Sequence, residues 1–306
     1  MWRVIPAATR SAWRASGTRS ICTRSMASQA ETGPTNPRTP YASGDTHFGY
    51  RTVQVDEKQD MVKSVFMAVA DKYDIMNDAM SGGMHRVWKD EFVRMLGPRP
   101  SVKTDTKFLD VAGGTGDIAF RISDVLADSL AVPPQAPEVT VCDINPEMLR
   151  VGQARAEAAG RAAPDAPVKL DWVEGNAEKL PFEDNSFDAY TIAFGIRNVT
   201  HVDVALQEAL RVLKPGGRFM CLEFGHVRNP LIAQAYDAFS FHVIPSLGTA
   251  IAGDRESYQY LVESIRRFPQ QDVFAQMVAD TGFQHVTSTD FTFGVCAVTS
   301  GFKPAQ

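Results

Sequence analysis

Phe108-Leu-Asp-Val-Ala-Gly-Gly-Thr-Gly-Asp117 is an apolar run that breaks into glycines, and 27 positions beyond Gly116 an acid closes a second such run, Val139-Thr-Val-Cys-Asp143. Short apolar runs with β-branched residues predict buried strands, while Gly113, Gly114 and Gly116 let the chain turn and let ligand atoms approach the backbone. The residues from Asp117 to Leu126 predict a helix whose unpaired N-terminal amides favour a negative ligand group. Asp143, at the end of its strand, is placed to accept both hydroxyls of a ribose through charge-assisted bonds worth roughly 1.5–3 kcal/mol each. The layout describes a pocket for a nucleoside-bearing cofactor.

Two cofactors fit that pocket. Gly114-Thr-Gly116-Asp-Ile-Ala119 satisfies the dinucleotide fingerprint, which keeps NAD open. S-adenosylmethionine (SAM) needs the same ribose acid but has no pyrophosphate, and its amino-acid end carries both charges. The order of elements bears on the choice. A helical pattern over Lys58 to Ala70 precedes alternating strands and helices: Lys107–Val111, Val139–Ile144, Lys169–Glu174, Phe187–Phe194 and Arg218–Phe224 as strands, with helices between them. Such alternation means a parallel sheet covered on both faces. Two last runs, Gln284–Phe293 and Val295–Ser300, meet at Gly294 as a hairpin, and an antiparallel pair ending a parallel sheet favours a SAM methyltransferase sheet over a symmetric dinucleotide fold.

The chain has 306 residues, 44% hydrophobic and 22% charged, enough for one substantial core. A net charge of -5 offers no basic field for a polyphosphate backbone, so nucleic acid is excluded as the substrate. No apolar run reaches the roughly 18 residues of a membrane span, so membrane contact is expected to be peripheral. Residues 1–30 carry Arg3, Arg10, Arg14, Arg19 and Arg24 among many Ser and Ala, with no acid before Glu31. This is transit-peptide composition, with cleavage expected between about residue 22 and about residue 40, and a basic arm that stays attached is the rival. Residues 31–57 then form a linker or arm and residues 58–306 the catalytic domain. Neither the four cysteines nor the six histidines show metal-ligand spacing, so no metal is expected.

After the third predicted strand stands Gly175-Asn176-Ala177-Glu178-Lys179-Leu180-Pro181-Phe182. Asn176, a polar side chain at a strand end, suits the amino group and N1 of adenine, the alternative being turn geometry alone. Arg211-Val-Leu-Lys-Pro-Gly-Gly217 ends a helix with a basic turn, a proline stop and a glycine hinge.

Two long patterns give the chain a resemblance. Tyr73-Asp-Ile-Met-Asn77-Asp-Ala-Met-Ser81-Gly-Gly-Met-His85-Arg-Val-Trp88 and Arg211-Val-Leu-Lys-Pro-Gly-Gly-Arg-Phe-Met-Cys-Leu-Glu223-Phe-Gly225 resemble the two signatures of the UbiE family of ubiquinone and menaquinone C-methyltransferases, its mitochondrial branch in particular. The likeness runs from about His47 to Phe302 and departs at Gly225, where the family usually has Ser. It implies an α/β, Rossmann-like class I SAM-dependent methyltransferase fold: a mostly parallel seven-stranded sheet, an N-terminal helical lid and a helical insertion before the last hairpin. It places the SAM contacts on Thr115, within the loop whose Gly114 and Gly116 are already cofactor-binding candidates, on Asp143, on Asn176 with Ala177, and on Ala193, where the family's usual Ser hydroxyl is missing. The implied acceptor is a carbon of a 2-methoxy-6-polyprenyl-1,4-benzoquinol. The implied setting is the matrix side of the mitochondrial inner membrane, by peripheral contact, beside other subunits of a coenzyme Q biosynthetic complex; a homodimer is compatible with it.

Open parallel sheets place substrate groups beyond the fourth strand, which here leads into Phe194-Gly-Ile-Arg197-Asn198-Val199. Arg197 and Asn198 are therefore the catalytic candidates, with Tyr73 closing the pocket from the N-terminal side. Arginine does not deprotonate in proteins, so Arg197 would hold a phenolate or order a water. The alternative for Arg197 is pairing with an acid such as Asp188 or Glu223, and for Tyr73 it is helix packing. His201 and His242 are further proton acceptors by pKa, each with an ordinary structural alternative. The aromatic stretch Leu231–Phe268 suits either the lining of a polyprenyl tunnel or plain core packing. Two other functions stay in play: an NAD-dependent oxidoreductase, and a non-catalytic binder of quinone precursors on a decayed methyltransferase fold.

Overall fold

A computed structural model describes residues 44–69, 77, 78, 80–97, 106–129 and 136–305 of the chain. Residues 1–43, the expected transit peptide and the first part of the expected linker or arm, lie outside them, as do Tyr73 and Asp74. The described part opens on a hairpin that the sequence pattern did not reveal, β1 (Asp45–Phe48) against β2 (Arg51–Gln54), and runs directly into α1 (Val55–Val69), with Asp56 and Glu57 in its first turn. Acids there complement the positive end of the helix dipole.

Helix α2 (Met84–Leu96) buries His85, Trp88, Lys89, Phe92, Val93 and Leu96, a spacing of three and four that forms one continuous stripe, and stops at Gly97 in the left-handed region. The αβ alternation follows: β3 (Lys107–Val111), α3 (Asp117–Ser129), β4 (Glu138–Asp143), α4 (Pro146–Ala158), β5 (Lys169–Glu174), β6 (Phe187–Ala193), α5 (Val202–Val212) and β7 (Leu213–Phe224). Strand β7 starts five residues before the predicted Arg218. Lys214 to Gly217, expected as helix punctuation, bulge out of the β6–β7 ladder, where the pairing jumps from Phe187–Leu213 to Ala189–Arg218.

An insertion comes next: α6 (Pro230–Ala238), a wide turn of helix at Phe239–Val243, α7 (Ile244–Leu247), another at Gly248–Ala252, and α8 (Glu256–Arg267). Helix α9 (Gln271–Thr281) leads to β8 (Gln284–Phe291) and β9 (Cys296–Phe302). The seven-stranded sheet has the order β5-β4-β3-β6-β7-β9-β8, parallel except that β9 runs antiparallel to both β7 and β8.

Strand alternation divides the core between the two faces. Leu109, Val111, Tyr190, Ile192, Phe219 and Cys221 pack with α5 and α9. Their neighbours Phe108, Ala189, Met220 and Leu222 pack with α2 and α3. The chain leaves β3 toward β4 and returns to β6 on its other side, which opens a crevice beyond the carboxyl ends of β3 and β6.

Candidate active site

The two strand ends that frame the crevice are strained. Ala112, after β3, and Phe194, after β6, hold φ of 51° and 55°, and residues without glycine's freedom occupy that region where the surroundings over-determine them, characteristically at functional sites. They come so close that a Cβ on Gly195 would lie 2.5 Å from the Cβ of Ala112.

Around this gap is a cavity walled by the glycine loop, the ends of β4, β5 and β6, and one side of α1 through Gln59, Val62 and Lys63. Gly114, Thr115, Asp143, Asn176, Ala177, Ala193 and Asn198, all singled out from sequence, line it. Gly116 does not: at φ 83° it turns the loop, and a Cβ there would strike the Trp172 ring at 2.6 Å. Its glycine serves packing.

Asp143 is pre-set for a diol. Its Oδ2 accepts from the amide of Gly114 at 2.8 Å and its Oδ1 from that of Asn145 at 2.8 Å. A carboxylate has about four lone-pair sites, so each oxygen keeps capacity for one hydroxyl. Burial pushes its pKa up, and the backbone amides pull the other way. The amide of Asn176 is tied by its oxygen to the N–H of Glu178 at 2.9 Å, so its nitrogen is the end left for a ligand. Thr115 Oγ1 accepts from Arg155 at 2.9 Å.

Two features escaped the sequence reading. Asp110 is fully buried in β3 and lines the cavity; Oδ1 accepts from Thr191 Oγ1 at 2.8 Å, while Oδ2 has no hydrogen-bond partner. Burial raises its pKa to about 7. The signal was an acid inside an apolar strand, visible within the decisive stretch itself. Lys89 is the second: buried on α2, it donates to Asp117 at 2.6 Å, at the first residue of α3. Burial opposes ionisation of Asp117, but Lys89, Arg121 and Arg155 outweigh it and hold its pKa down.

Arg197 sits behind the wall. It is 6% exposed, does not line the cavity, and donates from Nη1 to Glu223 Oε1 at 3.0 Å and to the carbonyl of Phe194. This is the acid-paired alternative, with Glu223 as the acid. Buried in the sheet, the carboxyl of Glu223 is pushed up in pKa despite Arg197. Asn198, on the short helix Ile196–Asn198, faces the cavity, and its Oδ1 accepts from the Tyr260 hydroxyl at 2.9 Å. His201 is held by Glu178, whose carboxylate also accepts from the amides of Thr200 and His201 just before α5, and His242 lies exposed in the insertion. None of the insertion's aromatics is a wall residue; Ile244, Tyr258 and Val262 form a core of their own with Phe239, Phe241 and Leu247. No group of His, Cys, Asp and Glu able to hold a metal occurs among the described residues.

A profile described as the ubiE/COQ5 methyltransferase family matches residues 52–303. The chain belongs to that family. It is 53% identical over 287 residues to the mitochondrial 2-methoxy-6-polyprenyl-1,4-benzoquinol methylase of Homo sapiens, covering 85% of each chain. The protein of the same name in Dictyostelium discoideum is 48% identical, covering 94% of this chain and 95% of its own. Among solved structures, a SAM-dependent methyltransferase from Thermotoga maritima superposes with a TM-score of 0.50 at 17% identity, covering 78% of this chain and 98% of that one. A chain from the complex of the Haloferax volcanii Trm112 methyltransferase activator with a methyltransferase gives 0.51 at 17%, covering 78% and 97%. Those likenesses concern the fold alone. The dinucleotide reading of the glycine loop falls away: the family is one of methyltransferases, and the antiparallel β9 set between β7 and β8 departs from a dinucleotide sheet.

Proposed function

We propose that this chain transfers the methyl group of SAM to a ring carbon of 2-methoxy-6-polyprenyl-1,4-benzoquinol in ubiquinone synthesis. The observation that carries the proposal is the identity to methylases of that name, 53% over 85% of both chains for the human one. The cavity fits the cofactor. Asp143 takes the ribose, Asn176 and Ala177 the adenine edge and the loop Gly114–Thr115 the amino-acid end, while the buried carboxyl of Asp110, behind that loop, supplies a counter-charge for an ammonium across it. Ala193 contributes backbone and packing only. When bound, SAM supplies an electrophilic methyl group.

The chain's own task is on the acceptor. A phenol near pKa 10 is only about a thousandth ionised at pH 7, a deficit of roughly 4 kcal/mol. A donor fixed at the acceptor oxygen stabilises the phenolate that makes the ring carbon nucleophilic, and its preorganisation spares the cost of reorienting water. Asn198 is that donor. Arg197, locked to Glu223 and to the Phe194 carbonyl, acts from behind by holding the loop that carries Asn198. Tyr73 completes the acceptor set by its place in the first signature.

Relatives are named as mitochondrial, and no helix among the described residues is long and apolar enough to cross a membrane. The finer setting, on the matrix face of the inner membrane by peripheral contact and among other coenzyme Q biosynthetic subunits, is supported by the arginine-rich residues 1–30 and by exposed apolar side chains such as Leu231, 79% exposed. Flotation with anionic-phospholipid vesicles checks the contact.

Turnover of a short-tailed methoxy-quinol with methyl-labelled SAM under reducing conditions tests the function. Label on a ring carbon is expected. Label on oxygen, or no transfer by protein that binds S-adenosylhomocysteine (SAH), overturns it.

A further inference from the structure

The residue that holds Asn198 comes from far away in sequence. Tyr260, on α8 of the insertion, donates its hydroxyl to Asn198 Oδ1 at 2.9 Å across a separation of 62 residues. Its ring is 6% exposed and stacks on Phe48 of β1, with centroids 4.0 Å apart and planes 14° from parallel. Burial pushes the phenol up to about 12, so it stays a neutral donor at any working pH.

The hairpin is fastened to α8 at a second point. The amide of Tyr50 donates to Glu263 Oε2 at 2.9 Å, and Gly49, at φ +57°, leaves room for that carboxylate, since a Cβ there would lie 2.3 Å from the same oxygen. Just beyond the hairpin, buried Lys58 donates to the carbonyl of Val199, the residue after Asn198, at 3.1 Å. Hairpin, α1 and α8 thus converge on Asn198 and its neighbour.

An amide whose oxygen is engaged must present its nitrogen on the other side. We propose that Tyr260, held by the Phe48 stack, is a positioning residue for methyl transfer: it fixes the Asn198 amide with its NH2 toward the acceptor oxygen. The segment before α1 is then part of the acceptor site. This inference rests on Asn198 being the acceptor-binding amide, as proposed above.

The test uses the full chain, the short-tailed quinol, four single variants and one double variant, with circular dichroism as the check on folding. Tyr260→Phe keeps the ring and the stack. It should lower kcat/KM for the quinol about tenfold, the size of one lost hydrogen bond, while SAH affinity stays within about twofold. In an Asn198→Ala background the same change should cost nothing more, because the two residues act as one unit. Phe48→Leu should move the quinol parameters in the same direction by less. Asn198→Asp still accepts from Tyr260 but has no NH2, and it should lose turnover as fully as Asn198→Ala.

Unchanged quinol kinetics in Tyr260→Phe, losses that add in the double variant, an equal fall in SAH affinity, or turnover retained by Asn198→Asp would each overturn the inference alone. A wild-type chain that binds SAH and transfers no methyl to the quinol overturns this inference together with the proposed function.

Discussion

The cofactor-facing wall of the cavity and the acceptor-facing wall are made by different means. The first comes from one run of chain, Asp110 to Met148, with Asn176 and Ala177 added from the end of β5, and its central bond, Asp143 to the amide of Gly114, joins two neighbouring parallel strands. The second takes Asn198 from the end of β6, supports it from below with Glu223 of β7 through Arg197, and braces it from the side with Tyr260 of α8, itself stacked on Phe48. On the proposed reading, a nucleoside is recognised by a motif and an aromatic acceptor by a tertiary assembly. The difference predicts that the two walls fail separately.

Asp143→Ala gives the largest expected effect. Two charge-assisted bonds to the ribose are lost, roughly 3–6 kcal/mol or about 10²–10⁴ in affinity, and the amides of Gly114 and Asn145 lose their partner as well. Calorimetric titration with SAH measures it. Affinity that stays within about tenfold would mean that the ribose is not held here. Asn198→Ala comes second: loss of one preorganised donor typically costs about 10²–10³ in kcat, and SAH affinity should hold. If both parameters fell together, the walls would be one unit and the comparison would break.

The same contrast explains what could be read from residues alone. Strand β5 stands at its predicted bounds, and the glycine loop and Asp143 lie where the motif put them, because each depends on residues close in sequence and on a two-residue period. Arg197 was placed in the right loop with Asp188 and Glu223 as possible partners, but the choice between pairing and facing the acceptor is made by the packing of β7, which brings Glu223, 26 residues on, against it. The β1–β2 hairpin has four-residue strands beside a Pro-rich linker, too short for periodicity to show, and its role comes from meeting α8. Tyr260 lies within the aromatic stretch Leu231–Phe268, one aromatic among several. Its hydroxyl bond exists through the fold and left no trace in the spacing.

Gly225 sharpens the comparison from the acceptor side. The family's signature usually has Ser there, and a decayed site was one way to read the change. The structure gives a steric reason instead: a Cβ at Gly225 would lie 2.6 Å from Gln271 Nε2 and 2.8 Å from the carbonyl of Gly294. Gln271 is buried and ties β7 to the last hairpin, accepting from the amide of His226 at 3.1 Å and donating to the His226 carbonyl at 3.0 Å. Gly225→Ser should therefore destabilise the chain by about 1–3 kcal/mol, as overpacking does, without changing SAH affinity. Urea unfolding reads the first and calorimetry the second. A stabilised Ser variant would show that the glycine is a loss and not an accommodation.

The smallest effect separates the walls by pH. Asp110 belongs to the cofactor side alone, and burial holds its carboxyl near 7, the Thr191 hydrogen bond acting downward and the charges of Asp117 and Asp143 upward. With a pKa raised from 3.8, the folded chain binds more protons than the unfolded one in the window between those values, so this group makes the free protein less stable as pH rises from about 4 to about 7. Binding has the opposite sign. An ammonium at the glycine loop, in front of that buried carboxyl, favours the carboxylate, so below pH 7 the ligand must expel a proton, and SAH affinity should rise by about tenfold between pH 6 and pH 8. Titrations at pH 6 in two buffers of different ionisation enthalpy should register the released proton, and Asp110→Asn should bind more weakly with a flat profile. Asn198→Ala should keep the full slope, since the side chain that bonds Asp110 is Thr191 and not Asn198. A slope that vanished in Asn198→Ala instead would place the titrating group on the acceptor side and join the two walls that the structure keeps apart.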